Sequence, residues 1–437
     1  MTQYCIDLMR FQSELGHQVG ILWPGNFRGD RWKSKIKQKP DYQLEKGKFA
    51  ANFFIANALP VPLIDGISHI EIFASRRPLN DYDSFFAKNK FDVLHIHTLM
   101  GLPREVLVAA QKKGVKLIYT SHDYFGICPK TSLVFNNTNC VDPYTCSFCE
   151  VCNLTALSDI KLHFLQTQLY KKVKQSKIVR KLRMQHIQTI NNTYNKDGLI
   201  KDENRRDGGR YKALREFYYT YFKMIDVIHF NSSNTRKVFN CFLNMNDKAT
   251  TISISNAQIE DHRTVRKINH ELRIGYLGPA SVKKGFYLLI EACDKLYESK
   301  KNFKLVVFNG YAGKEYIETH DAYTRSELGA VMAQIDVLVV PSVWNETFGF
   351  TVLEALSYGI PPIVTDTVGA KDLIISGFNG KIVNNTNALI QLLKDITEKP
   401  EIVEKWNENI VLHGHIKSMR EHTEEILDVY HTMKEKC

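Results

Sequence analysis

Two carboxylates flank a predicted helix start in the C-terminal half of the chain. Glu346 lies in a loop that follows an apolar run, and Glu354 comes after seven further residues. The pattern predicts a helix over residues 351–358 that carries Glu354 in its first turn, since a glycine and two prolines come after it. Carboxylate oxygens accept hydrogen bonds from hydroxyl groups, so this pair suits a sugar.

The backbone between the two glutamates favours a phosphate group. The N–H groups of residues 349–351 have no partner within the helix and point out of its start, where the macrodipole also favours negative charge. Gly349 lets a ligand approach the backbone closely. Together with the two carboxylates, this backbone predicts a site for a sugar joined to a nucleotide through a diphosphate.

A parallel sheet is predicted to position these residues. Apolar runs alternate with helix-periodic segments along the second half, with short connections, which indicates a doubly wound parallel sheet with ligand crevices at its strand ends. The predicted strands are residues 273–277, 303–308, 337–340 and 362–365, and the predicted helices are residues 286–298, 325–334 and 351–358.

The first half of the chain has the same alternation. Its predicted strands are residues 19–23, 93–97, 116–121 and 227–230, and its predicted helices are residues 4–15, 102–113 and 213–223. His122 and Asp123 follow one of these strands, so His122 lies at a carboxyl edge, which faces the ligand crevice in open α/β sheets. The alternative is a histidine that only caps its strand.

The segment 336–380 resembles the donor-binding motif of family 4 retaining glycosyltransferases of the GT-B fold, of the type that builds polysaccharides. That family has two glutamates separated by seven residues, as Glu346 and Glu354 are. The resemblance implies that Glu354 holds the donor ribose and that Glu346 holds the donor sugar. The backbone positions implied to complete the donor site are Phe348, Gly349, Phe350 and Thr351. It also implies that catalysis requires no metal or other cofactor.

A second part of the resemblance is the glycine-rich loop at residues 278–285, which begins with Gly278. Lys284 falls where the family has a lysine on the diphosphate. Pro279 stands where the family has an arginine, which leaves Lys283 as the residue expected to supply that charge. A lysine is a point charge without the arginine fork, so we expect a lower turnover rate.

The N-terminal half resembles the family at residues 92–103 and 120–130, so the matches cover most of the chain. They imply that His122 lies near the transferred sugar and that the acceptor binds on this half. Retention of the anomeric configuration implies front-face attack, in which the departing phosphate helps to deprotonate the acceptor. Catalysis then depends on electrostatic stabilisation of the leaving diphosphate. Asp123 acting as a base is the alternative.

We predict an α/β protein with two Rossmann-like domains that face a cleft. The charged stretch after Ile259 has the composition of a linker and places the boundary near residue 265. The polar stretch at residues 185–212 lacks periodicity and is predicted to be a mobile loop. The predicted parts are an acceptor-side domain at 1–265, a nucleotide-sugar domain at 266–415, and a helix at 416–437 that packs back on the first domain.

The chain as given is predicted to lack the first strand of its N-terminal sheet. The family begins with a strand and a glycine-rich loop before its first helix, whereas residues 4–15 already have the helical pattern. Strand 1 is central in a doubly wound sheet, so its neighbours would lose a partner. We therefore expect a chain that starts at Met1 to be unstable or weakly active, and a functional product to begin upstream.

Five of the nine cysteines lie close together in the sequence. They are Cys128, Cys140, Cys146, Cys149 and Cys152. In a reducing compartment such clustering favours a metal over disulfides, and four thiolates form a tetrahedral zinc site that would brace the loop beside His122. The alternative is a set of reduced structural thiols, because a second CxxC at zinc-ribbon spacing is absent from the sequence. Any metal here is predicted to be structural.

The net charge of +11 favours anionic partners. Seven of the thirteen residues at 171–183 are basic, which predicts either an amphipathic helix on an anionic membrane surface or a solvated helix face. The sequence has neither an apolar run of about 18 residues nor the pattern of a secretory signal. We therefore predict a cytoplasmic protein, peripheral on the inner face of the membrane, with a lipid-linked saccharide as acceptor.

Three functions compete for this pattern. A nucleotide-sugar glycosyltransferase accounts for most of the motifs, and a catalytically silent relative that acts as a partner subunit is favoured by Pro279. A basic nucleic-acid-binding protein has no base-reading module in this sequence, so we expect no nucleic-acid partner. A sugar-nucleotide epimerase on a similar fold is not expected to have the two spaced glutamates.

Overall fold

The structure is a computed structural model that describes residues 2–25, 33–62, 66–140, 146–174 and 208–435, with the single residues 176, 179, 181 and 185. Most of the predicted mobile loop and six of the thirteen residues of the basic segment lie outside the described residues. The end of that predicted loop belongs to the helix Gly209–Met224. Tyr211 and Leu214 of this helix are buried in the core, which favours the helical conformation there. The loop prediction is therefore wrong for residues 209–212.

A six-stranded parallel sheet forms the C-terminal half. Its strands, in spatial order, are Ile317–Thr319, Phe303–Val307, Leu272–Tyr276, Val337–Val340, Pro362–Thr365 and Lys381–Val383. The central strands are largely buried because helices cover the sheet. These helices are Phe286–Glu298, Leu328–Met332, Phe350–Ser357, Thr386–Glu398 and Glu401–His413.

A four-stranded parallel sheet lies in the N-terminal half. Its strands, in spatial order, are Val93–Ile96, Lys116–Ser121, Val227–Phe230 and Ala249–Thr251. The longer helices of this half are Asn80–Lys88, Arg104–Lys112, Gly209–Met224 and Ser233–Asn240. Shorter helices are Ile70–Phe73, Cys149–Cys152, Asp159–Leu165 and Gln168–Val173, and a small hairpin joins Val134–Phe135 to Thr138–Asn139. Parallel sheets in both halves confirm the predicted α/β class.

A separate three-stranded sheet is a feature that the sequence pattern did not indicate. Gly20–Pro24 pairs in parallel with Lys48–Ala56, which pairs in antiparallel with Lys35–Glu45. The last of these is a lysine-rich edge strand that is mostly exposed, so it lacks the alternation by which a half-buried strand is recognised. Gly20–Pro24 and Val93–Ile96 are edge strands of two different sheets. The predicted absence of a first strand stays a prediction.

The last helix returns to the first one. Met419–Glu435 packs against Thr2–Glu14, where the Tyr4 hydroxyl lies 2.7 Å from Nε2 of His422 and Arg420 forms an ion pair with Glu14. The link between the two halves has no strand or helix between Thr251 and Leu272. The exact domain boundary stays a prediction. Within the part of the chain that the structure describes, each helix is too short or too polar to cross a membrane.

Candidate functional site

Two loops meet where neighbouring central strands of the C-terminal sheet end. Gly285 closes the glycine-rich loop with a positive φ of 69°, and a Cβ atom there would lie 1.7 Å from the carbonyl oxygen of Pro341. The backbone N–H of Val343 donates to the carbonyl oxygen of Lys283 over 3.0 Å. Glycine is therefore required at position 285, both by the positive φ and by the lack of space for a Cβ atom. It lets the loop that carries Lys284 lie directly on the loop that carries Glu346.

Glu346 is buried and bound to a cation. Nζ of Lys284 lies 2.9 Å from its Oε1, and the hydroxyl of Ser342 donates to the same oxygen. A buried carboxylate needs such partners to offset its desolvation. Lys284 also lies 5.3 Å from the ring centroid of Trp344, whose buried indole N–H has no hydrogen-bond partner among the described residues. Sequence reasoning missed Trp344 as a hydrogen-bond donor to a ligand, because its type and position carry no local signal of that role.

The helix Phe350–Ser357 begins beside Glu346, after Gly349 with a positive φ of 104°. The ring of Phe348 is buried and contacts that of Phe350. The prediction that Glu354 lies in the first turn is wrong, because the helix begins one residue earlier than expected and has no acidic residue in that turn. Glu354 is instead the fifth residue of the helix.

Glu354 forms a second buried carboxylate–cation pair. Nη1 of Arg325 donates to Oε1 of Glu354, and the Arg325 side chain remains partly exposed. Arg325 begins the 3-10 turn Arg325–Glu327, whose start is capped by Thr324 and Glu327 in a capping box, and the helix Leu328–Met332 follows directly. The predicted helix over residues 325–334 therefore begins with a 3-10 turn and ends two residues earlier than expected. Sequence reasoning missed Arg325 because nothing in the pattern relates it to Glu354.

Residues of the N-terminal half bind the loop that carries Glu346. Nδ2 of Asn139 donates to the Val343 carbonyl oxygen over 2.8 Å, and the Asn345 N–H donates to Oδ1 of Asn139 over 3.1 Å. The carbonyl oxygen of Thr347 accepts from two N-terminal hydroxyl groups, those of Ser232 and Thr235. Both halves therefore fix the position of Glu346, and Asn139 does so from the small hairpin that precedes Cys140.

His122 joins the same contact through its backbone. Its carbonyl oxygen accepts a hydrogen bond of 3.1 Å from the Thr347 hydroxyl, while its imidazole Nε2 lies 3.2 Å from Nδ1 of His97. The ring of Tyr4 packs edge-on against the His122 ring. The structure thus brings His122 to the loop of Glu346. Its role near the transferred sugar stays a prediction.

A cluster of histidines surrounds His122, in which His229 and His422 are buried and the others are half-buried. Its members are His95, His97, His122, His229 and His422. Burial is the main cause that lowers the pKa of each, to about 3 for His97 and His229. The Thr120 hydroxyl connects two members of the cluster by hydrogen bonds. Its Oγ1 lies 2.7 Å from Nε2 of His95 and 2.9 Å from Nδ1 of His229. These histidines are therefore neutral at neutral pH.

Asp123 stabilises the turn after its strand. Its Oδ1 accepts a hydrogen bond of 2.8 Å from the N–H of Phe125, and burial raises the pKa of its carboxyl to about 6. Its action as a base stays the alternative prediction.

Lys283 faces the N-terminal half. Its side chain is exposed overall, but desolvation of its ammonium group and the charge of Lys130 lower its pKa, and the neighbouring Cys152 has the opposite effect. The start of the same loop is held from inside its domain, since Asn309 donates to the Gly278 carbonyl oxygen over 2.9 Å. The predicted contact of Lys283 with the diphosphate stays a prediction.

The five clustered cysteines line one cavity, together with Lys130 and Arg215. All are thiols in the structure, and burial raises the pKa of Cys128 and, to about 12, that of Cys152. Cys149 also has a raised pKa, chiefly through its hydrogen bond with Cys146. Within the described ranges, no three histidine, cysteine or acidic side chains already stand in a geometry that holds a metal ion. The zinc site stays a prediction.

Residues 258–411 match the family model described as glycosyl transferases group 1. An uncharacterized glycosyltransferase of Methanocaldococcus jannaschii is 27% identical over 228 residues, which are 45% of this chain and 56% of the relative. The capsular polysaccharide biosynthesis glycosyltransferase CapM of Staphylococcus aureus is 24% identical over 204 residues, which are 41% of this chain and 52% of CapM. The chain thus spans about half the length of these relatives, and the matches support the resemblance at the level of group 1 glycosyltransferases.

A solved structure with a similar fold is sucrose-phosphate synthase from Thermosynechococcus elongatus. Its TM-score with this chain is 0.57 at 11% identity, and the match covers 99% of this chain and 93% of that one. At this identity the likeness shows the fold alone. It confirms the predicted GT-B arrangement of two Rossmann-like domains.

The buried histidines predict a stability that falls in acid. Their folded pKa values lie below the unfolded value of about 6.5, so their contribution is complete above that pH and is lost as pH falls. Between about pH 7.5 and 5.5, His97 and His229 contribute roughly 1 kcal/mol each, which lowers Tm by roughly 2 °C, and the other histidines of the cluster add to this fall. Asp123 opposes this trend, because a carboxyl whose pKa is raised in the folded state contributes stability as pH falls. It is one group against several histidines.

Thermal unfolding across this pH range tests the prediction. His97→Asn should reduce the fall in Tm over this range by roughly 1 °C, since it removes one group whose folded pKa is about 3. His431→Gln, at an exposed position, is the matched control and should retain the full dependence. A Tm that does not change with pH would contradict the neutral cluster.

Asn139 is predicted to order the loop of Glu346. Asn139→Ala removes both hydrogen bonds, so the Asn345 amide should lose protection against hydrogen exchange by roughly tenfold, the value of about one neutral hydrogen bond. Thr138→Ala is the matched control, because the Thr138 hydroxyl, within the described part of the chain, bonds only to Phe135 of its own hairpin. Equal protection in both variants would show that Asn139 does not order the loop.

Proposed function

We propose that this chain is a retaining, metal-independent glycosyltransferase that moves a hexosyl group from a nucleotide-sugar donor to a saccharide acceptor. One observation carries the proposal: two carboxylate–cation pairs, Glu346 with Lys284 and Glu354 with Arg325, flank one helix start at the strand ends of a parallel sheet. Such an edge is where ligands bind in open α/β folds. The match of residues 258–411 to group 1 glycosyltransferases supports it.

The donor diphosphate would lie between Lys284 and the N–H groups at the start of the helix Phe350–Ser357. Both carry positive charge towards the same space, so both stabilise the leaving diphosphate as its charge develops. The indole N–H of Trp344, buried without a partner among the described residues, is a further donor for a phosphate or sugar oxygen. No metal ion is needed for this charge balance.

Each carboxylate would use its second oxygen for the donor. Oε1 of Glu346 is bound by Lys284 and Ser342, whereas a Cβ atom at position 349 would lie 3.4 Å from Oε2. Gly349 thus leaves space for a sugar hydroxyl to donate to Oε2. Glu354 would accept from the ribose in the same way while Arg325 holds its Oε1. The acceptor would approach from the side of His122, and the departing phosphate would take its proton.

The acceptor is proposed to be a lipid-linked saccharide of a cell-surface polysaccharide, at the inner membrane face. The name of the relative CapM refers to capsular polysaccharide biosynthesis, and the basic segment at residues 171–183 suits anionic headgroups. A catalytically silent partner subunit is the alternative, which Pro279 favours because it stands where the family has an arginine. Turnover of a donor in the presence of an acceptor distinguishes the two.

The two glutamates should differ in kinetic effect. Glu354→Gln weakens the contact to a remote ribose and should mainly raise KM, whereas Glu346→Gln changes the contact to the reacting sugar and should mainly lower kcat. Hydrogen bonds of charged groups are worth about 1.5–3 kcal/mol, so losses of roughly tenfold to a hundredfold are expected.

Steady-state kinetics with the active donor measure both constants. Glu298→Gln is the matched control, because this glutamate is exposed at the end of another helix and, among the residues that the structure describes, pairs only with Lys295. Its constants should equal those of the parent. If both site variants also behave like the parent, the assignment of the donor site is wrong.

A structural zinc ion in the cysteine cavity is also proposed, with reduced thiols as the alternative. Five thiols around one cavity, beside two cations that offset thiolate charge, support it. Elemental analysis of the purified protein should give about one zinc per chain, and Cys149→Ser should lower that ratio while Cys241→Ser, on an exposed cysteine, should not. Protein without zinc that folds and binds donor normally would establish the reduced thiols.

A further inference from the structure

Two short helices of the N-terminal half turn apolar side chains towards solvent. In Asp159–Leu165, Ile160 is 83% exposed and Phe164 is 47% exposed. In Gln168–Val173, the exposed pair is Leu169 and Val173. Each pair has the i, i+4 spacing that places both side chains on one face of a helix. Apolar side chains at this spacing normally face a protein core, whereas these face solvent.

The two faces belong to one surface. The rings of Phe164 and Tyr170 lie 5.6 Å apart, which joins the two helices. The pair is anchored to the domain, because Leu162 is buried in the core and the side chain of Gln166 accepts a hydrogen bond of 2.9 Å from the N–H of Val61. Ile160, Phe164, Leu169 and Val173 form the apolar patch.

The apolar patch is concentrated rather than scattered. Among the described residues, thirteen large hydrophobic side chains are exposed, and four of them lie between residues 160 and 173. Single exposed apolar residues are normal on a protein surface, whereas a contiguous group marks an interaction site. Surface exposure therefore indicates a partner for this patch.

Charge identifies the class of partner. Lys161, Lys172 and Lys174 are exposed within or next to the apolar patch, and the sequence continues with further basic residues up to residue 183. Helices with apolar residues on one side and lysines around them lie in the interface of a bilayer, where the apolar side chains enter the acyl boundary and the lysines contact anionic headgroups. A second copy of this basic chain would bring like charges together.

We infer that the apolar patch is the surface by which this protein docks on an anionic membrane. The inference deepens the proposed function, since it rests on a lipid-linked acceptor for its purpose, but membrane binding itself is independent of turnover. The patch lies on the half of the chain to which the acceptor is assigned. Docking there would hold that half at the lipid surface and leave the donor site in the C-terminal half free.

Flotation with vesicles tests the inference. The probes are vesicles of phosphatidylcholine alone and of phosphatidylcholine with phosphatidylglycerol, at low and high salt. The parent protein should float with the anionic vesicles, and the triple variant Ile160→Ser, Phe164→Ser and Leu169→Ser should bind them at least tenfold more weakly. Lys172→Gln with Lys174→Gln should weaken binding only at low salt, because salt screens charge and not apolar contact.

A matched control is Ile375→Ser with Leu412→Ser, two exposed apolar residues outside the patch, and this variant should float like the parent. Equal flotation of the triple variant, or no flotation of the parent with either vesicle, overturns the inference. So does a triple variant that changes the molecular mass in solution instead of the flotation, since that outcome identifies a protein partner. Flotation without turnover of any donor would overturn the proposed function and leave this inference standing.

Discussion

The burial of two carboxylates beside one helix start is the constraint on which the rest of the site depends. Glu346 and Glu354 are both largely removed from water, and each is compensated by one cation, Lys284 or Arg325. Removing either cation would leave a buried charge without a partner, which costs far more than an exposed ion pair contributes. The close contact at Gly285 follows from this constraint, since it brings the lysine loop within reach of Glu346.

The position of Glu346 is decided by both halves of the chain. Its loop is bound by Lys283 from its own domain and by Asn139, Ser232 and Thr235 from the other half. These contacts use backbone groups of the loop as partners, so they fix its path regardless of which side chains it carries. A change in the relative position of the two halves therefore moves Glu346, the carboxylate that is assigned to the donor sugar.

Local sequence patterns predicted buried helices and strands better than exposed strands and exact helix ends. The helix Phe286–Glu298 and the strands Val337–Val340 and Lys116–Ser121 have the predicted bounds, because apolar period and glycine or proline ends mark them. The hairpin strand Lys35–Glu45 was missed because an exposed, lysine-rich edge strand has no apolar alternation. The start of the helix that carries Glu354 was misplaced by one residue, which is within the usual uncertainty of helix ends.

The candidate site could be predicted only in part. Glu346, Glu354 and Lys284 belong to motifs with fixed spacing, so the sequence identified them. Arg325 and Asn139 act through contacts between segments that are distant in the sequence, and their residue types carry no local signal of those contacts. The apolar patch could not be predicted from the sequence for a related reason. Its i, i+4 pairs have the same spacing as the apolar residues of a core-facing helix, and only the exposed fraction of the side chains shows that they face solvent.

Thermal unfolding of the unmodified protein with a panel of nucleotide-sugars, each beside its free nucleoside diphosphate, tests whether the crevice at Glu346 and Glu354 binds a nucleotide-sugar. One donor, and more weakly its diphosphate, should raise Tm by roughly 3 °C at a hundred times its Kd, because binding to the folded state stabilises it by mass action. The same ligands should have little effect on the Glu354→Gln variant. A panel in which no donor or diphosphate raises the Tm of the parent would contradict the assignment of this crevice to a nucleotide-sugar.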